Sequence, residues 1–134
     1  MSNEHINPDT LPNMAAIFSQ VVTSTGSKTI HISGQVAFDE EMNVVGKGDY
    51  MAQAVKVFQN LAMALEAAGA SPQDLVSNVV YVKDLNQKAM EDITKAQMIA
   101  LDGKHFPPST CTMIGVTSLV SPDLLVEISA TAVV

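Results

Sequence analysis

The segment His105-Phe106-Pro107-Pro108-Ser109-Thr110-Cys111 connects a helical pattern that stops at Gly103 to a strand-like run that ends at Val116. Two consecutive prolines cannot continue a helix and have no backbone N–H to donate. They predict an extended approach that delivers two hydroxyl groups and the only thiol of the chain to the start of a strand. This arrangement is typical either of a connecting loop followed by a small buried cysteine or of a functional site.

The composition is that of one ordinary domain. The chain has 134 residues, of which 47% are apolar, and this is enough to bury a core. No apolar run approaches the roughly 20 residues that a membrane span needs, and the polar start from Met1 to His5 lacks the features of a signal peptide. A single cysteine allows no internal disulfide, as expected in a reducing compartment. We therefore expect a cytoplasmic protein without a membrane partner.

The charged residues exclude several kinds of ligand. The formal net charge is −7, and all 7 basic residues are lysines. A nucleic-acid partner requires a basic face and usually arginine, so none is expected. The lack of arginine also removes the side chain that best grips a carboxylate with two hydrogen bonds. The three histidines are widely separated and no second cysteine exists, so we expect no metal and no other cofactor.

Hydrophobic periodicity and capping residues predict the order of the elements. Residues 1–13 contain two prolines and few apolar residues and are expected to be a loosely held lead-in. A turn cluster at residues 24–27 separates two short strands, which we interpret as a hairpin. The predicted elements are strands at 17–23 and 29–33, a helix at 50–68 between Asp49 and Gly69, a strand at 74–85, a helix at 87–101 and strands at 110–116 and 124–133.

This order predicts a single α+β domain over residues 1–134, with a mixed sheet of about six strands and two helices on one face. Gly34, at the end of an early strand, predicts a bulge or a close backbone approach, and His31 is interpreted as a surface or interface residue. On the last strand Glu127, Ser129 and Thr131 alternate with apolar residues and form a partly polar face. Because that face is uncovered in a monomer, we expect sister subunits to cover it in a closed ring.

Cys111 and Glu127 are the titratable groups near the end of the predicted sheet that are suited to chemistry. Cys111 begins one late strand and Glu127 lies on the next, so both side chains reach one pocket if those strands are neighbours. A carboxylate beside a desolvated cleft can activate a water molecule as a general base, but a solvated or salt-bridged carboxylate explains Glu127 equally well. Nothing supports Cys111 as a nucleophile, because no histidine or cation is paired with it.

Five short segments, in order and nearly from end to end, resemble the RidA family, also called YjgF/YER057c/UK114. Each segment alone is weakly specific, but five at nearly the family's spacing are specific. The segments are Ile32-Ser33-Gly34-Gln35 (family SGQ), Glu66-Ala67-Ala68-Gly69 (EAAG), Tyr81-Val82-Lys83-Asp84-Leu85 (VKDL), Phe106-Pro107-Pro108-Ser109-Thr110-Cys111 (FPARSC) and Val126-Glu127-Ile128 (VEIE).

The resemblance implies a homotrimer with clefts between subunits, in which active members hydrolyse imines or enamines such as 2-aminoacrylate to a keto acid and ammonia. In such a cleft the last-strand glutamate and a backbone group beside the cysteine place the attacking water, and an arginine grips the substrate carboxylate. Glu127 and Cys111 match the first two positions, whereas Ser109 replaces the arginine and Phe18 replaces a tyrosine. The implied residues are Glu127 as the catalytic residue and Ser109, Thr110, Cys111, Phe18 and Gly34 as substrate-binding residues.

The missing arginine makes the activity doubtful for small imino acids. A charge-assisted bidentate pair contributes roughly 1.5–3 kcal/mol, or about 10- to 150-fold in binding. Lys104 is expected to face solvent rather than to replace this charge, and a Ser109→Arg change should raise activity if the missing clamp is the only defect. A deaminase acting on a larger or uncharged imine, a non-catalytic ligand-binding or regulatory trimer, and a chaperone-like role therefore stay open.

Overall fold

The structure, a computed structural model, describes residues 2–101 and 106–134. Within these ranges it contains six strands and two helices and confirms the α+β class. The elements are β1 (Ser2–Ile6), β2 (Val21–Thr25), β3 (Thr29–Val36), α1 (Tyr50–Ala67), β4 (Leu75–Lys83), α2 (Gln87–Ile99), β5 (Thr110–Val116) and β6 (Val126–Val133), with a short 3-10 turn at Pro72–Asp74. The predicted helix end at Gly103, the lysine Lys104 and His105 lie outside the described residues.

Four strands form a mixed sheet in the order β3-β6-β4-β5. β6 is antiparallel to both of its neighbours, whereas β4 and β5 are parallel, as the crossover through α2 requires. β6 alternates as the sequence predicted, with every second side chain buried: Val126, Ile128, Ala130 and Ala132. This alternation gives the sheet a face that packs on the helices and a second, open face that carries Glu127.

The two helices begin and end largely where the sequence predicted. Asp49 caps α1 by accepting a hydrogen bond at 3.0 Å from the backbone N–H three residues later, and Asn86 caps α2 in the same way at 2.9 Å. Gly69, just after α1, has a φ of 78°, the left-handed conformation that favours glycine. Phe58 of α1 packs on Phe106 with ring centroids 5.1 Å apart, so the segment that leads into β5 belongs to the core.

The N-terminal strands differ from the sequence prediction. Residues Ser2–Ile6 form a strand rather than a loosely held lead-in, and β2 pairs with this strand instead of forming a hairpin with β3. The connection from β2 to β3 turns away because the N–H groups of Ser27 and Lys28 both donate to Val134 O at 3.0 Å, at the end of β6. We call the pair β1 and β2 the N-terminal ribbon.

Candidate functional site

Gly34 and Glu127 meet where β3 bulges. The pairing of β3 with β6 shifts register between Ile32 and Gln35, as the glycine predicted. A Cβ atom built on Gly34 would lie 2.7 Å from Cδ of Glu127, closer than real atoms approach. The glycine therefore leaves the space that the Glu127 carboxylate occupies on the open face.

The Glu127 carboxylate has no charged partner in the part of the chain that the structure describes. Its neighbours in register are Val36 on β3 and Tyr81 on β4. The residue is partly buried, and no ion pair or side-chain hydrogen bond from residues 2–101 or 106–134 reaches it. Among the described residues a salt-bridged Glu127 is thus not observed, and no described side chain competes with water for its carboxylate oxygens.

Ser109 lies on the opposite, helix-facing side of the sheet. It is only 2% exposed, and its Oγ accepts a hydrogen bond from Asn78 Nδ2 at 2.8 Å. The N–H of Ser19, in the segment that precedes β2, donates to Ser109 O at 3.0 Å. The position at which the family resemblance places an arginine is therefore small, uncharged and closed within one subunit.

Cys111 follows on the same side, in register with Asn78. Burial raises the pKa of the Cys111 thiol, which keeps the thiol protonated at neutral pH and argues against a nucleophile. A cavity of about 40 Å³ is lined mainly by apolar side chains, together with Asn78, Ser109 and Cys111. A cavity of this size holds roughly one or two water molecules rather than a substrate.

Glu127 and Cys111 do not share a pocket within one subunit. β4 lies between β5 and β6, so the two late strands are not neighbours, and the condition under which both side chains would reach one pocket is not met. Cys111 is in register with Asn78 of β4, which is itself in register with the buried Ala130 of β6, so Cys111 lies on the helix-facing side. Glu127 alternates with the buried residues of β6 and therefore lies on the open face. The sequence left this pairing open because chain order does not specify which strands of a mixed sheet pair.

Thr110 and Phe18, the remaining predicted site residues, also lie away from Glu127. Thr110 is on the open face, where its Oγ1 donates to Val76 O at 2.9 Å. It is two strands across and four residues along from Glu127, roughly 16 Å by ordinary strand dimensions. Phe18 is partly buried and precedes Ser19, so it belongs to the Ser109 side of the molecule.

Two polar residues that the sequence analysis missed contact residues 106–111, which we call the Ser109 segment. Asn78 interrupts an apolar strand, and this interruption was a signal that a partner satisfies its amide. Ser19 is 3% exposed; its hydroxyl donates to Pro108 O and lies 2.7 Å from Nδ1 of His5. No local pattern pointed to this contact. Because the Ser19 proton goes to a carbonyl, the serine acts as a structural link rather than an activated nucleophile.

A larger groove lies beside β3 and α1. It has a volume of about 570 Å³, and its lining includes Gly34, Phe38, Lys56, Asn60 and Met63. We call it the edge groove. Asn60 reaches across its floor and donates to the carbonyls of residues 36 and 38 at 2.9 and 3.1 Å. The Glu127 carboxylate does not line this groove, so the groove is a separate feature of the surface.

Two kinds of feature are not found in residues 2–101 and 106–134. No group of three or more histidine, cysteine, aspartate or glutamate residues there could hold a metal ion. No helix in those ranges is both long enough and apolar enough to cross a membrane.

Comparisons with known proteins define the family. The model of the endoribonuclease L-PSP family matches residues 9–134. A RutC family protein of Pyrococcus abyssi is 32% identical over 133 residues, which cover 98% of each chain. The crystal structure of YyfB, a Rid-family protein from Yersinia pestis, matches with a TM-score of 0.89 and 34% identity over 100% of both chains. RidA from an Antarctic Psychrobacter matches with a TM-score of 0.66 and 26% identity over 98% of this chain and 99% of that one.

These matches place the domain among the Rid-type α+β proteins. The chain belongs to the endoribonuclease L-PSP family, which is the YjgF/RidA family of the resemblance. The resemblance drawn from five sequence segments is thus confirmed. The backbone follows YyfB more closely than it follows the Psychrobacter RidA.

Proposed function

We propose that the protein is a Rid-type hydrolase that acts on a reactive imine or enamine in a cleft between subunits. Glu127 orients a water molecule toward the imine carbon and accepts a proton from it as the C–O bond forms. The C=N electron pair moves to nitrogen, which takes up that proton from Glu127 to give a carbinolamine. A second proton, from solvent, on nitrogen lets ammonia leave while the hydroxyl returns its proton to the Glu127 carboxylate, which leaves a carbonyl product. An enamine enters the same route after protonation at carbon. The observation that carries the proposal is the partly buried Glu127 carboxylate, without a charged partner in residues 2–101 and 106–134, beside Gly34.

The charge of the chain supports a substrate that carries no carboxylate, or one bound mainly through other groups. Ser109 is hydrogen-bonded to Asn78 rather than open to a ligand, and an identical subunit cannot supply an arginine because the sequence contains none. A substrate carboxylate would therefore lack an arginine that binds it with two hydrogen bonds. The same lack of arginine and the net charge of −7 argue against RNA as a substrate, despite the description of the family.

The placement of the residues supports an assembly. Ser109 and Glu127 lie on opposite faces of one sheet, so a cleft that includes both segments has to draw them from two subunits. The open face around Glu127 also carries Tyr81 and Ser129, a mixture of apolar and polar groups suited to an interface. We therefore propose a homotrimer, as the family resemblance implies.

The test is a hydrolysis assay on a panel of imines. A pyridoxal-phosphate dehydratase generates 2-aminoacrylate in situ, larger and uncharged imines are supplied directly, and the release of ammonia is followed with and without the protein. We expect acceleration for at least one uncharged imine and little for 2-aminoacrylate. Glu127→Gln should lower the accelerated rate by about 10²- to 10⁴-fold, the usual contribution of a general base.

Controls separate a chemical effect from a structural one. Because Glu127 has no charged partner in the described residues, Glu127→Gln should change the free energy of unfolding by less than about 0.5 kcal/mol. The active preparation should sediment near three times the chain mass of 14.2 kDa. The proposal fails if no imine of the panel is hydrolysed faster, if Glu127→Gln keeps the full rate, or if the active species is a monomer.

A non-catalytic, ligand-binding or regulatory trimer is the second candidate. The closed and neutral surroundings of Ser109 favour it, because the segment that holds the substrate in active relatives is part of the core here. Calorimetric titration with an imine of the panel and with its stable amide analogue distinguishes the two. Binding of both compounds without release of ammonia supports this candidate and excludes the hydrolase.

A further inference from the structure

We propose that the free edge of β3 pairs with β2 of a second copy of the chain, so that the N-terminal ribbon of one subunit extends the sheet of another. The inference concerns an interaction surface and does not rest on the proposed hydrolase. It starts from two incomplete parts of the same molecule. One is a four-stranded sheet whose edge strand β3 has no outer neighbour among the described residues, and the other is a two-stranded ribbon.

The outer edge of β3 presents three residues whose backbone groups point away from β6. Lys28 and Val134 exchange both of their backbone hydrogen bonds, each at 3.0 Å. Because such pairs alternate along antiparallel strands, Thr29, His31 and Ser33 direct their N–H and C=O groups outward. The carbonyl of Ser33 agrees with this direction, since the side-chain amide two residues later donates to it at 3.2 Å.

Within residues 2–101 and 106–134 no strand covers this edge, and the bulge of β3 begins only after Ile32. β3 is eight residues long and contains no proline or lysine, although proteins commonly use such residues to prevent pairing at an edge. The edge groove adjoins the last three residues of β3, Gly34 to Val36, and Met63 of α1 is 54% exposed there. At that end of the edge an incoming strand would meet both apolar side chains, such as Met63, and charged ones, such as Lys56 and Asp39.

β2 has the composition of the missing strand. Four of its five residues, Val21, Val22, Thr23 and Thr25, are β-branched, which suits a pleated sheet. β1 covers one side of β2, and within the described residues no strand pairs with the other side. A two-stranded unit is marginally stable by itself, so added pairing stabilises the ribbon as well as the β3 edge.

The occupant is a second copy rather than the chain's own ribbon because several contacts hold that ribbon elsewhere. The segments around it contact the chain that leads into β5, through Ser19 N to Ser109 O at 3.0 Å and His5 Nδ1 to Pro108 O at 3.1 Å. β5 is the opposite edge of the sheet from β3. In a second copy the ribbon keeps these contacts and offers its outer edge to the neighbour. Such a head-to-tail contact can close into a ring.

The experiment mixes single-cysteine variants of the full chain two at a time, each with Cys111→Ser. Thr23→Cys on β2 is mixed with Thr29→Cys, His31→Cys or Ser33→Cys on β3 under mild oxidation, which covers three neighbouring registers. Paired strands lie about 4.8 Å apart, within the range of roughly 4.4–6.8 Å between Cα atoms that a disulfide requires. We expect a mixed dimer of twice the chain mass in at least one mixture. A chain that carries both cysteines should form no internal disulfide on dilution.

Two substitutions of His31 test the backbone pairing. His31→Pro removes an outward N–H that β6 does not use, so the edge strand should tolerate it, whereas His31→Ala keeps the N–H and removes the same side chain. In whichever mixture of Thr23→Cys with Thr29→Cys or Ser33→Cys gives the mixed dimer, the proline should lower its yield about tenfold and the alanine should not. Where only His31→Cys gives the dimer, the hydrogen-exchange test below takes the place of this one. Equal yields for the two substitutions contradict the proposal.

Three further outcomes overturn it. The first is that no register gives a mixed dimer, and the second is that the doubly substituted chain forms an internal disulfide, which places the ribbon on its own β3. The third comes from hydrogen exchange of the wild-type amides of Thr29, His31 and Ser33, a measurement that also decides the question if His31→Pro does not fold. Protection that disappears on dilution supports pairing between copies, whereas fast exchange at all concentrations, or protection in a monomer, contradicts it.

Discussion

The two faces of the sheet present the two halves of the expected Rid-type site in different states. On the helix-facing side Ser109 is 2% exposed and hydrogen-bonded to Asn78. On the open face Glu127 is partly buried, beside Gly34 and without a charged partner in the described ranges. The comparison predicts that substitutions in the two halves change different measured quantities. We expect a change at Ser109 to act first on the stability of the core, and under the proposed function we expect a change at Glu127 to act first on the rate of hydrolysis.

The difference also separates two tasks that a hydrolase combines. Placing a water molecule requires a carboxylate that is not already paired, and Glu127 meets this requirement. Holding a charged substrate requires a cation near the same point, and the Ser109 segment offers neutral groups only. One subunit is therefore better suited to placing water than to gripping a carboxylate, which is why an uncharged imine is the better candidate.

Ser109→Arg should have the largest effect on this comparison. The substitution adds a long charged side chain at a closed position beside a cavity of about 40 Å³. We expect the free energy of unfolding, measured with urea, to fall by about 3 kcal/mol or more. The sequence alone had predicted that this variant gains activity, provided that the missing arginine is the only defect.

Two matched variants show whether the loss of stability in Ser109→Arg comes from the size or from the charge of the new side chain. Ser109→Ala removes the acceptor for Asn78 Nδ2 and should cost about 1–2 kcal/mol. Ser109→Leu adds bulk without charge and should fall between the alanine and the arginine variants. A folded Ser109→Arg protein with raised activity would show that the segment opens to substrate, and the contrast between the two faces would not hold.

Gly34→Ala should have the next largest effect, this time on activity. The added Cβ meets the carboxyl end of Glu127, which is the flexible part of that side chain and can move away. We therefore expect hydrolysis to fall by about tenfold to a hundredfold, with a change of less than about 1 kcal/mol in the free energy of unfolding. The rate on the best imine and a urea titration measure the two quantities.

Gly115→Ala is the matched control for a glycine within a strand. Its new Cβ would lie 3.1 Å from Cβ of Leu85, and Gly115 is two strands across from Glu127 and in register with the buried Val126, on the other face of the sheet. Activity should be unchanged. If Gly34→Ala loses stability instead of activity, the glycine serves the backbone of the bulge rather than the position of the carboxylate.

The elements that the sequence predicted well are those decided by neighbouring residues. The caps Asp49 and Asn86, the stop at Gly69 and the strand from Thr110 to Val116 all follow from local chemistry. The alternation of β6 was also readable, because it has a period of two and one buried face.

The pairing of the strands was not readable, because distant contacts decide it. β1 is polar and carries no apolar pattern, yet it forms a strand because β2 pairs with it. The expected hairpin of β2 and β3 fails because Ser27 and Lys28 bind Val134, more than a hundred positions away in the chain. The contact of Gly34 with Glu127 and the bond of Asn78 to Ser109 depend on this topology, so the separation of the two site halves could not be predicted.

The smallest expected effect concerns the pH dependence of Cys111 on the closed side. Burial raises the pKa of this thiol above its ordinary value of 9.0, because the charged thiolate loses hydration. Alkylation of the native protein near neutral pH should therefore be slower than alkylation of the unfolded chain in urea, and it should accelerate as the pH rises.

The same shift makes the free energy of unfolding depend on pH. Below pH 9.0 both the native and the unfolded chain hold the Cys111 proton, so the thiol makes no pH-dependent contribution to stability. Above it the unfolded chain ionises first, so stability should decline with pH, and Cys111→Ser should weaken that decline. Fast alkylation of the native protein at neutral pH would mean that the Ser109 segment is open, and that the two faces of the sheet do not differ as described.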